Sequence, residues 1–374
     1  LWKIMPDDPE IDLLPCQALP AGVCLKYREA FELYEENVKE ARRLIAFPEG
    51  RFYYTIAPDV ISTNIPHIQD AREVAMLLKH DAWWRIQQAD FEQAAASIRA
   101  AVHVTRSLRD ELFIFSHLVR HAILREAVDT VERLCAQGQP DAKALLGLQR
   151  LIAEEAEFDG WTWAMEGERA GLHQLFGLIA DGKADLPFIR GMIGVRPSSW
   201  RDLVNDRFPA ASAAQSHAWL LRHLTDLLTT HKLHPPERTA KLKQIGEEAE
   251  KAPDLARMLM ASPWKKLTNH QPRLEAKLRC TVAGLAAEQF RLEKKHWPDK
   301  MEALVPDYLP KVSLDPYTGE PLRLRATTDG IVIYSPGADG VWQGDAWDLP
   351  RNGPDWGSRH EHEFRLWNVE QRRK

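Results

Sequence analysis

The densest group of side chains able to bind a metal or move a proton is His360-Glu361-His362-Glu363. On a strand, alternate residues share a face, so His360 and His362 project together and both glutamates project the other way. Two imidazoles do not make a zinc or nickel site. A third ligand such as Asp355 is required, and a solvated terminal strand accounts for the same residues without a metal. His117 and His121 are spaced as two ligands on one helical face, but the glutamate of the zinc-protease motif is missing between them, which leaves them as core or surface histidines. His231 and His234 close a helix ahead of Pro235-Pro236, where the helix dipole favours positive charge. Glu154, Glu155, Glu157, Glu166 and Glu168 flank Trp161 and Trp163. A carboxyl against an apolar wall has its pKa raised and can act as the acid of a sugar-cleaving pair, whereas a charged helix face with core tryptophans gives the same pattern. There is no Gly-rich phosphate loop, no Gly-x-Ser-x-Gly elbow and no Cys-His arrangement with an orienting third group.

These residues must be positioned by helices. Residues 1–22 carry Pro6, Pro9, Pro15 and Pro20 and read as an extended arm. From Val23 to Ala46, Tyr27, Phe31, Tyr34, Val38, Ala41 and Ile45 recur at three- and four-residue spacing, the pattern of an amphipathic helix stopped at Phe47-Pro48-Glu49-Gly50. The spacing predicts further helices over 68–87, 90–107, 110–137, 141–157 and 161–180, with Asp90 and Asp141 as N-caps. Residues 182–209 read as a long loop, broken by Pro187, Gly191, Gly194, Pro197 and Pro209. Helices resume over 211–230, 235–251 and 265–294. The segments Ala71 to Leu78 and Phe91 to Ile98, joined at Gln88-Ala89-Asp90, resemble one helix-turn-helix unit of a tetratricopeptide array, but no 34-residue recurrence is found. The expected body is an irregular helical bundle or TPR-like helical-hairpin domain over 23–264.

The C-terminal stretch 265–374 differs in character. A helix over Arg279 to Glu293 is followed by His296-Trp297-Pro298, Leu304-Val305-Pro306 and Leu314-Asp315-Pro316. Two apolar strands then pair, Pro321 to Arg325 and Gly330 to Tyr334, around an Asp329-Gly330 turn, and a loop begins at Ser335-Pro336-Gly337-Ala338-Asp339-Gly340. In this order the segments resemble the soluble part of the major pseudopilins of type II secretion, which implies a small α+β module appended to the helical domain. Major pseudopilins bind calcium in the loop after the last of these strands. Carried over by position, that implies Asp339, Asp345 and Asp348 as side-chain ligands and Pro336 as a carbonyl ligand, the hard oxygen set calcium prefers. The chain departs from the family where Trp342, Trp347 and Pro350 replace an acidic run. It also departs at the front, where soluble sequence stands in place of a membrane-spanning helix, so a filament subunit is not expected.

Composition narrows the function classes. The 374 residues are 44% hydrophobic and 28% charged, with a net charge of −5, which describes a folded chain with no basic field to attract nucleic acid or an anionic membrane. No apolar run is long enough to span a bilayer. Four cysteines without a Cys-x-x-Cys pair give neither a disulfide scaffold nor a thiolate metal site, although Cys16 and Cys24 are near enough in sequence to bridge. The chain begins at Leu1 rather than Met, as a processed or truncated chain would, so an export signal or membrane anchor could have been lost upstream; the expected location is the periplasm or cell envelope, with the cytoplasm as the alternative. The expected role is a non-catalytic assembly or interaction protein, with a protein partner or a second copy as its binding target. The alternative is a hydrolase, metal-dependent or carbohydrate-active, with its site between the helical domain and the C-terminal module.

Overall fold

The computed structural model describes residues 13–194, 209–260, 264–337, 340 and 362–373. The chain is mainly helical and carries a small antiparallel sheet near its end. The helices α1 (Ala21–Arg42), α2 (His67–Gln87), α3 (Phe91–Arg106), α4 (Ile114–Gln137), α5 (Ala142–Glu157) and α6 (Gly160–Ala180) come first, with a long strap over residues 47–66 between α1 and α2. Short polar side chains start three of them as local sequence dictates. Asp90 accepts from the Gln93 amide at 3.3 Å, Asp141 from Ala144 at 2.6 Å and Asp159 from Thr162 at 3.0 Å, satisfying first-turn amides that lack helical partners. α2 ends where Ala89 turns left-handed (φ 57°), and Ala94 and Ala95 then let α3 lie close along it.

Residues 110–113 do not join α4, which starts at Ile114 after an extended Phe113. The reason is tertiary. Glu111 is spent on long-range hydrogen bonds, and a carboxylate from α6 takes the first amide of α4. Within the expected loop 182–209 there is a short helix, α7 (Leu186–Met192), capped by Asp185 with Pro187 in its first turn. Next come α8 (Pro209–Thr230), α9 (Pro235–Ala249), α10 (Asp254–Met260) and α11 (Trp264–Lys294). No helix among the described residues is long and apolar enough to cross a membrane.

Two cores result. One gathers α6, α7, α8, α9 and α10 around Phe176, Leu220 and Leu224. The other joins α3, α4 and α5 to α11 and the sheet through Val128, Leu148, Leu285 and Phe364. The sheet is β1 (Arg323–Thr327), β2 (Gly330–Tyr334) and β3 (Glu363–Trp367), in that order and antiparallel throughout, with Arg323 opposite Tyr334 and Gly330 opposite Trp367. Glu363, the last residue of the segment expected to be a solvated strand, opens β3 and is buried. β3 is buried along its length, because α4 and α11 both pack on it. Gly284 of α11 makes this possible: a Cβ there would stand 2.2 Å from the Phe364 ring. Burying Phe364 and Leu366 stabilises the fold by about 1.5–3 kcal/mol each.

Charged groups brace the same junction. Lys277 Nζ donates to Glu132 Oε2 at 2.9 Å and to the Glu363 carbonyl at 3.0 Å, while the Arg365 amide donates to Glu132 Oε1 at 2.9 Å. Arg372 forks onto both oxygens of buried Glu288 at 2.8 Å each and reaches the Gly138 carbonyl at 2.6 Å. The Asp315-Pro316 turn is held by buried Asp315, which accepts from Thr318 Oγ1 at 2.8 Å and Ser335 Oγ at 2.7 Å.

Candidate functional site

The strap carries its own turn. Asp59 accepts from the Ser62 amide at 2.8 Å and from Ser62 Oγ at 2.6 Å, and the Ala57 amide donates to Thr63 Oγ1 at 3.0 Å. This turn holds Val60 at φ 62°, a left-handed conformation that a β-branched residue rarely adopts. Val60 then lies against Gly171 of α6, where a Cβ would come 2.7 Å from Val60 Cγ1. Gln174 Nε2 ties the strap to α6 by donating to the Pro58 carbonyl at 2.8 Å. A strained residue seated by a glycine on the facing helix marks a position fixed by its surroundings.

The other end of the strap is anchored on a polar cluster. The His67 ring is stacked between Phe52, at 4.7 Å, and Tyr54, at 5.2 Å. Its Nε2 donates to Glu111 Oε1 at 2.9 Å, and Ser116 Oγ donates to Glu111 Oε2 at 3.0 Å. Burial and the Glu111 charge push the Tyr54 hydroxyl up to about 12. Ser116 points at the carboxylate rather than at the imidazole, so these groups form a latch and not a nucleophile relay. His117 donates from Nε2 to the Glu111 carbonyl at 2.9 Å, and burial lowers its pKa to about 4, which keeps it neutral.

Between the strap, the start of α4, α6, α7 and α10 lies a cavity of about 380 Å³. Val60, Ile61, Phe113, Leu172, Met192 and Leu259 line much of it, and Asp59, Thr63 and Glu168 are the polar side chains on its wall. Glu168 is placed by two facts of sequence. It sits on the apolar stripe of α6 with Trp161, Met165 and Leu172, and Phe113 offers no oxygen to cap α4. Its Oε1 therefore accepts the Ile114 amide at 2.9 Å. Burial pushes the Glu168 carboxyl up to about 7, against the opposing pull of that amide. A lone carboxyl poised near neutrality in an apolar chamber can hold a hydrogen-bonding or cationic group, or exchange a proton with one.

No family model matches the chain, and neither the curated proteins nor the solved structures contain a significant match to it. The site must be judged on its own chemistry. Of the carboxylates flanking the tryptophans, Glu168 alone enters this cavity. Glu155 is buried among Arg106, Arg109 and Arg120, and the Arg109 and Arg120 guanidinium carbons each stand 4.6 Å from the centre of the Phe158 ring. Glu154 pairs with Arg106 at 2.5 Å, and Glu166 is exposed. Trp161 is buried and Trp163 exposed.

Glu157 lines a second, polar cleft of about 240 Å³ between the helical part and α11, together with Asp159, His231, Arg238 and Glu275. His231 Nε2 stands 4.0 Å from Asp159 Oδ2, while its Nδ1 bonds the Leu228 carbonyl at 2.5 Å at the end of α8. Glu275 is neutralised by Arg238 at 3.2 Å and Arg279 at 2.5 Å.

Of the expected calcium ligands, Pro336 is buried just after β2, and Asp339, Asp345 and Asp348 lie outside the described residues, as do Trp342, Trp347, Asp355, His360 and Glu361. His362 Nε2 bonds the Tyr317 hydroxyl at 3.0 Å. Among the described residues no group of three or more His, Cys, Asp or Glu side chains is placed to hold a metal. Cys16, Cys24, Cys135 and Cys280 form no disulfide, so the bridge that the spacing of Cys16 and Cys24 allows is not made. Sequence reasoning missed Asp59, Val60, His67 and Glu111, which share no period and meet only through long-range folding. Glu168 had a readable signal, a carboxylate on the apolar stripe of an amphipathic helix.

Proposed function

We propose that this chain is a non-catalytic envelope protein that binds a small, largely apolar molecule beneath the strap and meets a protein partner through the exposed face of that strap. The observation that carries the reading is the Glu168 carboxyl, the one wall carboxylate not tied up in a turn, in a largely apolar chamber. Catalysis needs a second group acting on the same bond, and the other wall carboxylate, Asp59, is occupied by Ser62. Phe47, Tyr53 and Ile56 are exposed along the strap, and aromatic side chains at such density favour a partner surface. A neutral fluorescent probe, N-phenyl-1-naphthylamine, tests the cavity. It should brighten on stoichiometric binding and be excluded by Leu172→Trp, and brightening that survives in the folded variant would sink the proposal.

The pseudopilin-like C-terminal module, the TPR-like pairing of α2 and α3, and calcium held by Asp339, Asp345, Asp348 and the Pro336 carbonyl belong to the same reading. Calcium calorimetry on chelator-stripped protein, with magnesium as control and Asp339→Ala alongside, checks the metal. A hydrolase is the second reading. It is favoured by the Glu168 carboxyl standing near neutral pH, where a general acid works best. Turnover of chromogenic esters or glycosides that disappears in Glu168→Gln would replace the binding role with that one.

A further inference from the structure

The chamber beneath the strap has a one-sided charge inventory. Among the described residues its wall carries two carboxylates, Glu168 and Asp59, and no lysine, arginine or histidine. Among the described residues, Arg190 of α7 and Asp254 and Arg257 of α10 do not line the wall. α4 contributes Ile114 and Phe115, α7 Met192, and α10 Met258 and Leu259, all apolar. The nearest basic side chain of α6 in sequence, Arg169, is exposed and donates to Thr225 Oγ1 at 3.1 Å. An anionic amphiphile such as a fatty acid would meet like charge with no counter-ion, which is costly in an apolar surround. A cationic one would find an acceptor. Asp59 is committed to Ser62, so the open acceptor is the second oxygen of Glu168, whose first oxygen is fixed by the Ile114 amide. Phe113 and Phe115 on the same wall add aromatic rings, whose π-systems attract cations rather than anions.

Resting on the reading of this cavity as a binding site, we infer that its ligand has an apolar body and a single ammonium group, with the ammonium seated on Glu168. Burial pushes the Glu168 carboxyl up to about 7, whereas an alkylammonium stays charged well above that. Binding of the ammonium requires the carboxylate, so affinity follows the ionised fraction of Glu168 and rises with pH through neutrality. A ligand that instead accepted a proton-bearing hydrogen bond from the neutral acid would show the opposite trend.

The test is isothermal calorimetry of the full chain with n-decylamine, n-decanol and n-decanoate at pH 6 and pH 8. Decylamine should bind with one-to-one stoichiometry, roughly tenfold tighter at pH 8 than at pH 6. Glu168→Gln should weaken it roughly 10- to 100-fold and remove the pH trend, with decanol little changed. Met192→Lys places a positive charge at a half-exposed wall position without touching the core, and should weaken decylamine while improving decanoate. Decanol binding as tightly as decylamine, or decylamine indifferent to both variants, overturns the ammonium assignment and leaves an apolar pocket. Failure of all three ligands to bind overturns the pocket and the assignment together.

Discussion

Lys277 of α11 and Glu132 of α4 meet at 2.9 Å in the interior, with Asp129, one turn earlier on α4, also 3.1 Å from the ammonium. Burial opposes the lysine charge, but the two carboxylates outweigh it and hold the Lys277 pKa above the ordinary lysine value. The pair also organises β3, since Glu132 accepts the Arg365 amide and Lys277 donates to the Glu363 carbonyl. An ion pair this deep ties the C-terminal sheet to the helical part at a defined register.

Removing Lys277 strands buried Glu132, and removing Glu132 leaves the buried ammonium only the half-exposed Asp129. Glu132→Ala or Lys277→Ala should each destabilise the fold by about 3–5 kcal/mol, whereas the paired replacement Glu132→Leu with Lys277→Met should cost far less. Urea denaturation of the three variants measures this. Single losses below 1 kcal/mol would mean that the pair is open to water.

Glu168 gives a pH signature of its own. Its carboxyl stands at about 7 in the folded chain against an ordinary 4.5, so between those values the folded state holds more protons than the unfolded one. Stability from this group is therefore present below about pH 4.5 and declines as pH rises to about 7. Glu168→Gln removes the dependence. The stability difference between variant and wild type should shift in favour of the variant by on the order of 2 kcal/mol from pH 4.5 to pH 8, less than the full shift implies because the group is only partly enclosed. A flat difference across that range would place the carboxyl in water.

Much of this was legible along the chain, and the part that was not has a common cause. Helices announced by periodic apolar residues and Asp caps, such as α3 behind Asp90 and α5 behind Asp141, lie where local rules put them. The start of α4 does not, because Glu111 bonds His67 across 44 residues and Glu168 caps Ile114 across 54. β3 reads as polar in its Glu-Phe-Arg alternation, yet Glu363 and Arg365 are buried because Glu132, Lys277 and Asp329 on other elements receive their backbone and side-chain groups. Local pattern carries no information about such partners.

The His67 latch should govern the strap. His67→Ala removes one hydrogen-bond donor from buried Glu111 and the ring stacked on Phe52 and Tyr54, a loss of about 1–3 kcal/mol confined to that region. Limited proteolysis should then cut within 47–66 faster than in wild type while α2 to α5 stay protected. Equal cleavage rates would mean that Gln174 and the Asp59 turn hold the strap unaided.

Val60 offers the sharpest check on the site's backbone. At φ 62° any side chain with a Cβ is strained by roughly 1–2 kcal/mol, and glycine is not. Val60→Ala and Val60→Gly both delete the Cγ contacts with Gly171, so the difference between them reports chiefly on the backbone. Glycine normally loses to alanine through its larger unfolded-state entropy. Here the order should invert, with Val60→Gly as stable as Val60→Ala or more so by up to about 1 kcal/mol. Chemical denaturation of the two variants decides the matter, and alanine ahead by the usual margin would remove the left-handed turn at the mouth of the cavity.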